Sequence, residues 1–345
     1  MNDVRLPAPG EPLPPVTGET EYKRKGLTFG DYAERLALIV AWIVVIVVFG
    51  ILAPTSFLNV QNFTTMFGTQ TTLVMLALAL IIPLTAGDFD MSLAANLTLC
   101  GMVVAVLNGQ HGMPIGLTIV IALALGVVIG FINGFFVVVF KINAFIVTLG
   151  IGTILSGITL WISSSQTIGG VSPWLSVWVV DKRLFGISLE FYYGLILCFV
   201  IWYVFDFTAI GRRLLFLGRG ENVARLSGVR VGRVRWGSFV FAGLIAAAAG
   251  VLYTGTAGAA DPTSGATFLL PAFAAAFLGT TTITPGRFNP WGTFIAVYFL
   301  VTGITGLAIM GVQTWVQNVF YGGALVIAVT ASQIVKMRRE RAARL

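Results

Sequence analysis

Residues Gly211–Val231 read GRRLLFLGRGENVARLSGVRV and form the one long polar interruption in a very apolar sequence. Seven arginines lie within or just after this segment: Arg212, Arg213, Arg219, Arg225, Arg230, Arg233 and Arg235. A basic segment between apolar runs is typical of a cytoplasmic loop in a membrane protein, because positively charged loops are retained on that side of the bilayer. The segment therefore predicts a cytoplasmic loop and orients the spans around it.

The middle of this segment carries the signals of a short helix. Gly220 permits a turn, Glu221 favours the positive N-terminal end of a helix, and Gly228 suits a C-terminal stop. The sequence thus predicts about two helical turns over Glu221–Ser227. Two interpretations are open: an ordinary basic loop that fixes topology, or a compact polar element that receives a push from a soluble partner.

The composition excludes a soluble globular protein. The 345 residues are 57% hydrophobic and only 10% charged, with a mean hydropathy of +0.91, whereas soluble domains carry about 25% charged residues. The apolar runs are continuous rather than alternating, which excludes a membrane β-barrel. Since a span needs about 20 apolar residues, we predict an all-α fold, a polytopic transmembrane helical bundle of about ten segments. One of them, Phe268–Leu278, is short enough to be re-entrant instead.

The placement of lysine and arginine predicts that both termini are cytoplasmic. With ten crossings, every lysine and arginine lies inside except Lys182 and Arg183. The predicted domains are a disordered cytoplasmic tail at 1–30, a transmembrane domain at 31–335 and a basic cytoplasmic tail at 336–345.

Several residue types weigh against other functions. Cys100 and Cys198 lie inside apolar runs and are expected to be buried apolar side chains, without a disulfide or metal site. His111 is the only histidine, so no histidine-based site can be assembled. The net charge of +7 fits loops next to anionic lipid better than nucleic acid. No lysine has the glycine spacing of a P-loop, so if ATP drives the activity of this chain, the ATPase must be another subunit.

A few polar residues fall near membrane depth, where they are costly and usually functional. Asp88 and Asp90 lie at the junction of two predicted spans. The favoured role of Asp90 and Ser92 is to cap the N-terminus of the following helix, with substrate or coupling contact as the alternative. Asn133 either lines a pathway or bonds a neighbouring helix. Glu190, near the outer end of its span, is expected to be snorkelling or solvated.

The arginine-rich segment resembles the coupling segment of permease subunits in bacterial sugar-type ABC importers, which typically reads G-R-x-x-x-A-x-G-x-N-x-x-A-A-R-L-S-G-I. The matching residues are Gly211, Arg212, Gly218, Asn222, Ala224, Arg225, Leu226, Ser227 and Gly228. Residues Ala86–Ala94 are similar to a second family motif, G-G-x-x-D-L-S-V-G, but have alanine where its terminal glycines stand. Residues Ala144–Gly150 are similar to P-F-I-V-T-L-G, with alanine in place of proline.

The resemblance implies the permease of an ATP-driven importer for ribose, xylose, arabinose, galactose or a similar small polar solute, working by alternating access. Residues 206–235 would be the cytoplasmic coupling loop for a separate ABC ATPase subunit, which uses the ATP and Mg, while this chain binds no cofactor. The other implied partners are a periplasmic sugar-binding protein and a second permease copy or paralogue, in the lipid bilayer of the bacterial inner membrane. Nucleic acid is not an expected partner. Asp90, Ser92 and Asn133 are the candidates for the substrate pathway.

Two other function classes compete with this one. An ion-gradient-driven secondary transporter without an ATPase would need a relay of ionisable residues within the membrane. The candidates for that relay are Asp88, Asp90 and Glu190, all near span ends. An integral membrane enzyme would need a convergent set of acids, histidines or metal ligands, and the sequence has none, so we predict that the chain is not an enzyme.

Overall fold

The computed structural model describes residues 29–342, and helices make up most of them. The α-helices are α1 (Phe29–Leu52), α2 (Pro54–Phe57), α3 (Val60–Thr69), α4 (Thr71–Ala86), α5 (Leu93–Val104), α6 (Ile115–Val139), α7 (Ala144–Ile162), α8 (Pro173–Ser176), α9 (Leu189–Phe207), α10 (Ala209–Arg219), α11 (Glu221–Leu226), α12 (Val231–Ala257), α13 (Ala266–Gly279), α14 (Pro290–Ile309) and α15 (Thr314–Ala342). Two π-helical segments, Ala105–Gln110 and Val177–Asp181, follow α5 and α8. A small antiparallel hairpin joins β1 (Arg183–Leu184) to β2 (Ile187–Ser188).

In the described part of the chain, eight helices are long and apolar enough to cross a membrane: α1, α5 with its π-helical extension, α6, α7, α9, α12, α14 and α15. Helices α3 and α4 form a pair bent by 41° that makes a ninth span if it counts as one. Helix α13 is apolar but has only 14 residues. The predicted polytopic helical bundle is therefore confirmed. The count of ten crossings and the side on which each terminus lies stay predictions.

Helix α4 is the centre of the bundle. Each of its residues from Thr71 to Ala86 is buried, as expected of a helix that is apolar all the way round. Helices α9, α10, α12, α13 and α14 all pack against it. Gly87, with φ +90°, ends α4 and turns the chain into the segment Gly87–Ser92. Because α4 is enclosed, this turn is held among the ends of the surrounding helices.

Helices α6 and α12 pack closely through small residues. A side-chain carbon at Gly126 would collide with Gly243 and Ala247 of α12, and one at Gly130 would collide with the backbone of Phe239. Such small residues let two helix backbones approach, which is the usual packing chemistry inside a membrane. The glycines of the fourth predicted span therefore serve helix packing, as expected from the sequence.

Helices α1, α7 and α15 are among those that keep broad exposed apolar faces and lie on the outside of this chain. Ile51, Ile146 and Ile327 are 74%, 64% and 68% exposed. Exposed aliphatic surface of this extent is stable only against lipid or another apolar protein surface. This agrees with a chain embedded in a bilayer.

Two helices extend into segments that the sequence analysis predicted as a loop and a tail. Helix α12 begins at Val231, so Arg233 and Arg235 lie in its first turns rather than in the loop. Helix α15 continues to Ala342, through most of the segment predicted as a tail at 336–345. The predicted tail at 1–30 lies outside the described residues except for its last two positions, which are helical. That both segments are cytoplasmic stays a prediction.

Candidate coupling site

Helix α10 lies against the ends of two spans. Its side chains Leu214 and Leu217 are buried, while its arginines are exposed. A side-chain carbon at Gly211 would collide with the backbone of α9 at Phe205, and one at Gly218 would collide with the carbonyl oxygen of Thr85 in α4. These two glycines of the sequence motif are therefore the points where α10 touches the backbones of α9 and α4. A displacement of α10 would be transmitted to α4 by this direct backbone contact, without an intervening side chain.

Helix α11 is the short helix that the glycine pattern predicts, and its bounds match the prediction closely. Gly228, with φ +75°, follows its C-terminus. The amide of Val229 donates to the carbonyl of Ala224 (3.0 Å) and that of Gly228 to Arg225 (3.0 Å), which together form the Schellman arrangement. Since a left-handed residue is required here, the role of Gly228 is to stop the helix.

The motif residues of α11 divide into a buried support and an exposed tip. Ala224 is fully buried, whereas Leu226 is 91% exposed, and Asn222, Arg225 and Ser227 are exposed as well. Arg225 pairs with Glu221 one turn earlier, at 2.5 Å. An exposed leucine flanked by polar groups offers an apolar anchor with a polar rim, which is the usual composition of a protein-docking site.

A buried ion pair connects this region to the central turn. Arg235 of α12 donates from Nε to Asp88 Oδ2 (2.8 Å) and from Nη2 to Asp88 Oδ1 (2.5 Å). The Asp88 side chain is only 5% exposed and that of Arg235 23%. Arg235 Nη1 also lies 4.0 Å from Glu221 Oε2. Two carboxylates, of Asp88 and Glu221, and three guanidinium nitrogens of Arg235 therefore join the central turn, α11 and α12. The sequence analysis missed this pair because 147 residues separate its members.

Asp90, Ser92 and Asn133 meet in one buried cluster. Asp90 Oδ1 accepts hydrogen bonds from the Ser92 amide (2.9 Å) and hydroxyl (2.6 Å), and Asn133 Nδ2 donates to Ser92 Oγ (2.7 Å). The three side chains are at most 1% exposed. Within the described residues, Asp90 Oδ2 and Asn133 Oδ1 have no hydrogen-bond partner. Asn133 thus bonds a neighbouring element, one of the two roles left open, and a pathway role stays a prediction.

The prediction that Asp90 and Ser92 cap the N-terminus of α5 is only partly correct. Asp90 receives the amide of Ser92, the residue just before α5, but the Ser92 side chain caps no backbone amide of that helix. Its hydroxyl instead donates to Asp90 and accepts from Asn133. The turn is also held from α7, where Thr148 Oγ1 accepts the Met91 amide (2.9 Å). The central turn is therefore fixed by side chains from α6, α7 and α12.

The prediction that Glu190 is solvated is wrong. Its side chain is buried at 1% exposure and accepts hydrogen bonds from Ser188 (3.1 Å) and Thr256 (2.7 Å). Helix α9 begins at Leu189, so the carboxylate lies in its first turn and faces α12. Two hydroxyl donors compensate part of the cost of burying the group. Cys100 and Cys198 are buried, as predicted, and the Cys100 thiol donates to Asn96 Oδ1 (3.2 Å).

The fold defines a multi-pass helical membrane protein. Residues 59–329 match the family described as "Branched-chain amino acid transport system / permease component", and the chain belongs to this family. It is similar to the D-allose transport system permease protein AlsC of Escherichia coli K12, with 29% identity over 91% of this chain and 96% of the relative. It is also 31% identical, over 90% of this chain and 94% of the relative, to the autoinducer 2 import system permease protein LsrD of Escherichia coli O9:H4.

The LsrD protein of Salmonella typhimurium is similar at 29% identity over the same share of both chains. No solved structure matches the chain. The chain is thus a multi-pass inner-membrane protein and the translocation subunit of an ABC importer. Its relatives are transport permeases rather than enzymes.

Proposed function

We propose that the chain imports a monosaccharide or a similarly small, neutral, polar solute, driven by a separate ABC ATPase that uses the ATP and Mg. The names of its relatives include a D-allose transport system permease and an autoinducer 2 import system permease. A neutral solute needs no buried counter-charge along its path, and hydroxyls and amides on small-residue helices suffice. The partner that delivers the solute would be a periplasmic sugar-binding protein.

The observation that carries this proposal is the construction of α10 and α11. An exposed tip at Leu226 and Arg225 stands on a buried support, and the support touches the central helix at Gly218 and Thr85. Among the motif residues, Gly211 and Gly218 make the backbone contacts, Ala224 is the buried support and Gly228 forms the turn. The side chains that are exposed are Arg212, Asn222, Arg225, Leu226 and Ser227. We assign residues 206–235 to the cytoplasmic face and the ATPase to the tip of α11.

The Asp88–Arg235 ion pair provides a second connection through which a displacement of α11 reaches the turn Gly87–Ser92. When the ATPase shifts α11, Glu221 pulls on Arg235, and Arg235 is held by both of its hydrogen bonds to Asp88. Asp88 belongs to the turn that contains Asp90 and Ser92, so the displacement reaches the buried cluster with Asn133. Because the two unpaired oxygens there lack partners among the described residues, the cluster gains hydrogen bonds if the rearranged state admits water or a solute hydroxyl. Asp90, Ser92 and Asn133 therefore line the pathway in the open state.

The test is ATP-driven uptake by the permease reconstituted with its ATPase and binding protein. Arg225→Glu reverses the charge at the tip, and Arg219→Glu, at the exposed end of α10, is the matched control. We expect Arg225→Glu to reduce co-purification of the ATPase and uptake by about ten-fold or more, with the control close to wild type. Uptake that persists without any ATPase and collapses when ion gradients are dissipated would instead establish a secondary transporter.

A further inference from the structure

A long groove runs between α9, α10 and α12. Ser227 and Gly228, at the end of α11, also line it, whereas Arg225 and Leu226 do not. Its volume is about 1050 Å³. One end is walled by aliphatic and aromatic side chains of the spans, including Leu197 and Val200 of α9 and Phe241 and Ile245 of α12. Val200 and Phe241 are 48% and 57% exposed, so this part of the groove opens to the surroundings of the spans.

The other end of the groove is strongly basic. Arg212, Arg213, Arg230 and Arg233 line it, and no acidic residue does. In the part of the chain that the structure describes, none of these four arginines forms an ion pair, whereas Arg225 and Arg235 do. Four unneutralised guanidinium groups around one opening attract a multiply hydrogen-bonding anion, and phosphate oxygens match their fork geometry.

The length of the groove adds a second constraint on its occupant. Arg233 and Ile245 are 12 residues apart on α12 (245 − 233), which is about 18 Å at the rise of an α-helix. One leaflet contributes about 15 Å of hydrocarbon, half of the bilayer core. The occupant must therefore be apolar over the depth of one leaflet and anionic at the level of the arginines.

We propose that this groove binds an anionic phospholipid from the leaflet next to the arginines, with its phosphate on Arg213, Arg230 and Arg233 and an acyl chain along α9 and α12. Basic pockets between transmembrane helices are a recognised form of headgroup site. A soluble ATPase reaches the arginines but not the apolar wall between the spans. A free anion satisfies the arginines and leaves that wall without a partner. A phospholipid provides a phosphate for the arginines and an acyl chain for the apolar wall.

This lipid would stabilise the packing of helix α10 against the start of helix α12. Arg213 belongs to α10, whereas Arg230 and Arg233 flank the start of α12. A headgroup shared by all three bridges the two elements that carry force from α11. The lipid site does not depend on which solute the permease carries.

The experiment uses the intact chain in nanodiscs of equal parts phosphatidylglycerol and phosphatidylcholine, followed by native mass spectrometry of lipid that stays bound. The test variant is Arg213→Gln/Arg230→Gln/Arg233→Gln. The matched control, Lys182→Gln/Arg183→Gln/Arg219→Gln, removes three positive charges outside the groove. Wild type and control should retain phosphatidylglycerol about ten-fold over phosphatidylcholine, and the test variant should fall to within about two-fold of parity.

A second variant, Val200→Trp, fills the apolar wall and leaves every arginine in place. It should lose the retained phosphatidylglycerol while its thermal unfolding stays that of a folded protein. Equal retention of both lipids by wild type overturns the proposal, and so does undiminished selectivity in the arginine variant. If Val200→Trp separates a dimer into monomers and leaves lipid selectivity unchanged, the occupant is a second copy of the chain and the lipid assignment is wrong.

Discussion

At the scale of single residues, the Asp88–Arg235 pair is the polar contact with the largest consequence. Arg235 donates two hydrogen bonds to this carboxylate, which is almost completely buried. A buried charge whose partner is removed costs far more than an exposed ion pair contributes. The sequence showed an acidic residue at a span junction and an arginine in a basic segment. It could not pair them, because the packing of α12 on α4 brings them together.

The Asp88–Arg235 pair can be tested by a double-mutant cycle on the free energy of unfolding. Asp88→Asn and Arg235→Gln should each lower the free energy of unfolding by about 2 kcal/mol, below the full cost of a buried pair because Arg235 is partly exposed. The double variant should lose less free energy of unfolding than the two single losses added together, by about 1 to 2 kcal/mol. Unfolding in mild detergent measures this, and Arg219→Gln controls for simple loss of charge. Strictly additive losses would show that the pair carries no coupling energy.

At the scale of elements, the sequence predicted helix α11 but not helix α10, which precedes it. Its helix signals are local, so Gly220, Glu221 and Gly228 identified α11 almost to the residue. The role of Gly218 was not predictable, because it depends on the carbonyl of Thr85, which is distant in sequence. The burial of Glu190 was missed for the same reason. Its hydroxyl donor Thr256 lies on α12, and hydropathy does not report which partner a helix face meets.

The contact between α10 and α4 predicts that Gly218→Ala is strongly damaging. The added carbon meets a backbone oxygen that cannot rotate away, so α10 must shift and the unfolding free energy should fall by about 1 to 3 kcal/mol. Gly157→Ala in α7 is the matched control, since open space surrounds a side-chain carbon at that position. Thermal unfolding and uptake should both decline for Gly218→Ala and stay near wild type for Gly157→Ala. Unimpaired uptake by a folded Gly218→Ala protein would contradict the contact's role in coupling.

At the scale of the whole molecule, hydropathy predicted the long spans because each is a continuous apolar run. It left α13 ambiguous, since 14 residues extend only about 21 Å and the hydrocarbon core is about 30 Å thick. Contacts made just before and just after α13 indicate on which side of the membrane each of its ends lies. Before α13, Ala260 pairs with Ile168 of the loop that follows α7. After α13, the amide of Ile283 donates to the carbonyl of Arg35, near the start of α1.

These contacts predict that α13 crosses the membrane, which gives ten crossings and both termini on one side. In a variant with Cys100→Ala and Cys198→Ala, single cysteines at Thr263 and Thr284 would lie before and after α13. An impermeant maleimide added outside should label Thr263→Cys and leave Thr284→Cys unlabelled until the membrane is permeabilised. Lys182→Cys and Arg219→Cys, on either side of α9, serve as the outer and inner references. If the cysteines at 263 and 284 are labelled from the same side, α13 is re-entrant and the chain crosses the membrane an odd number of times.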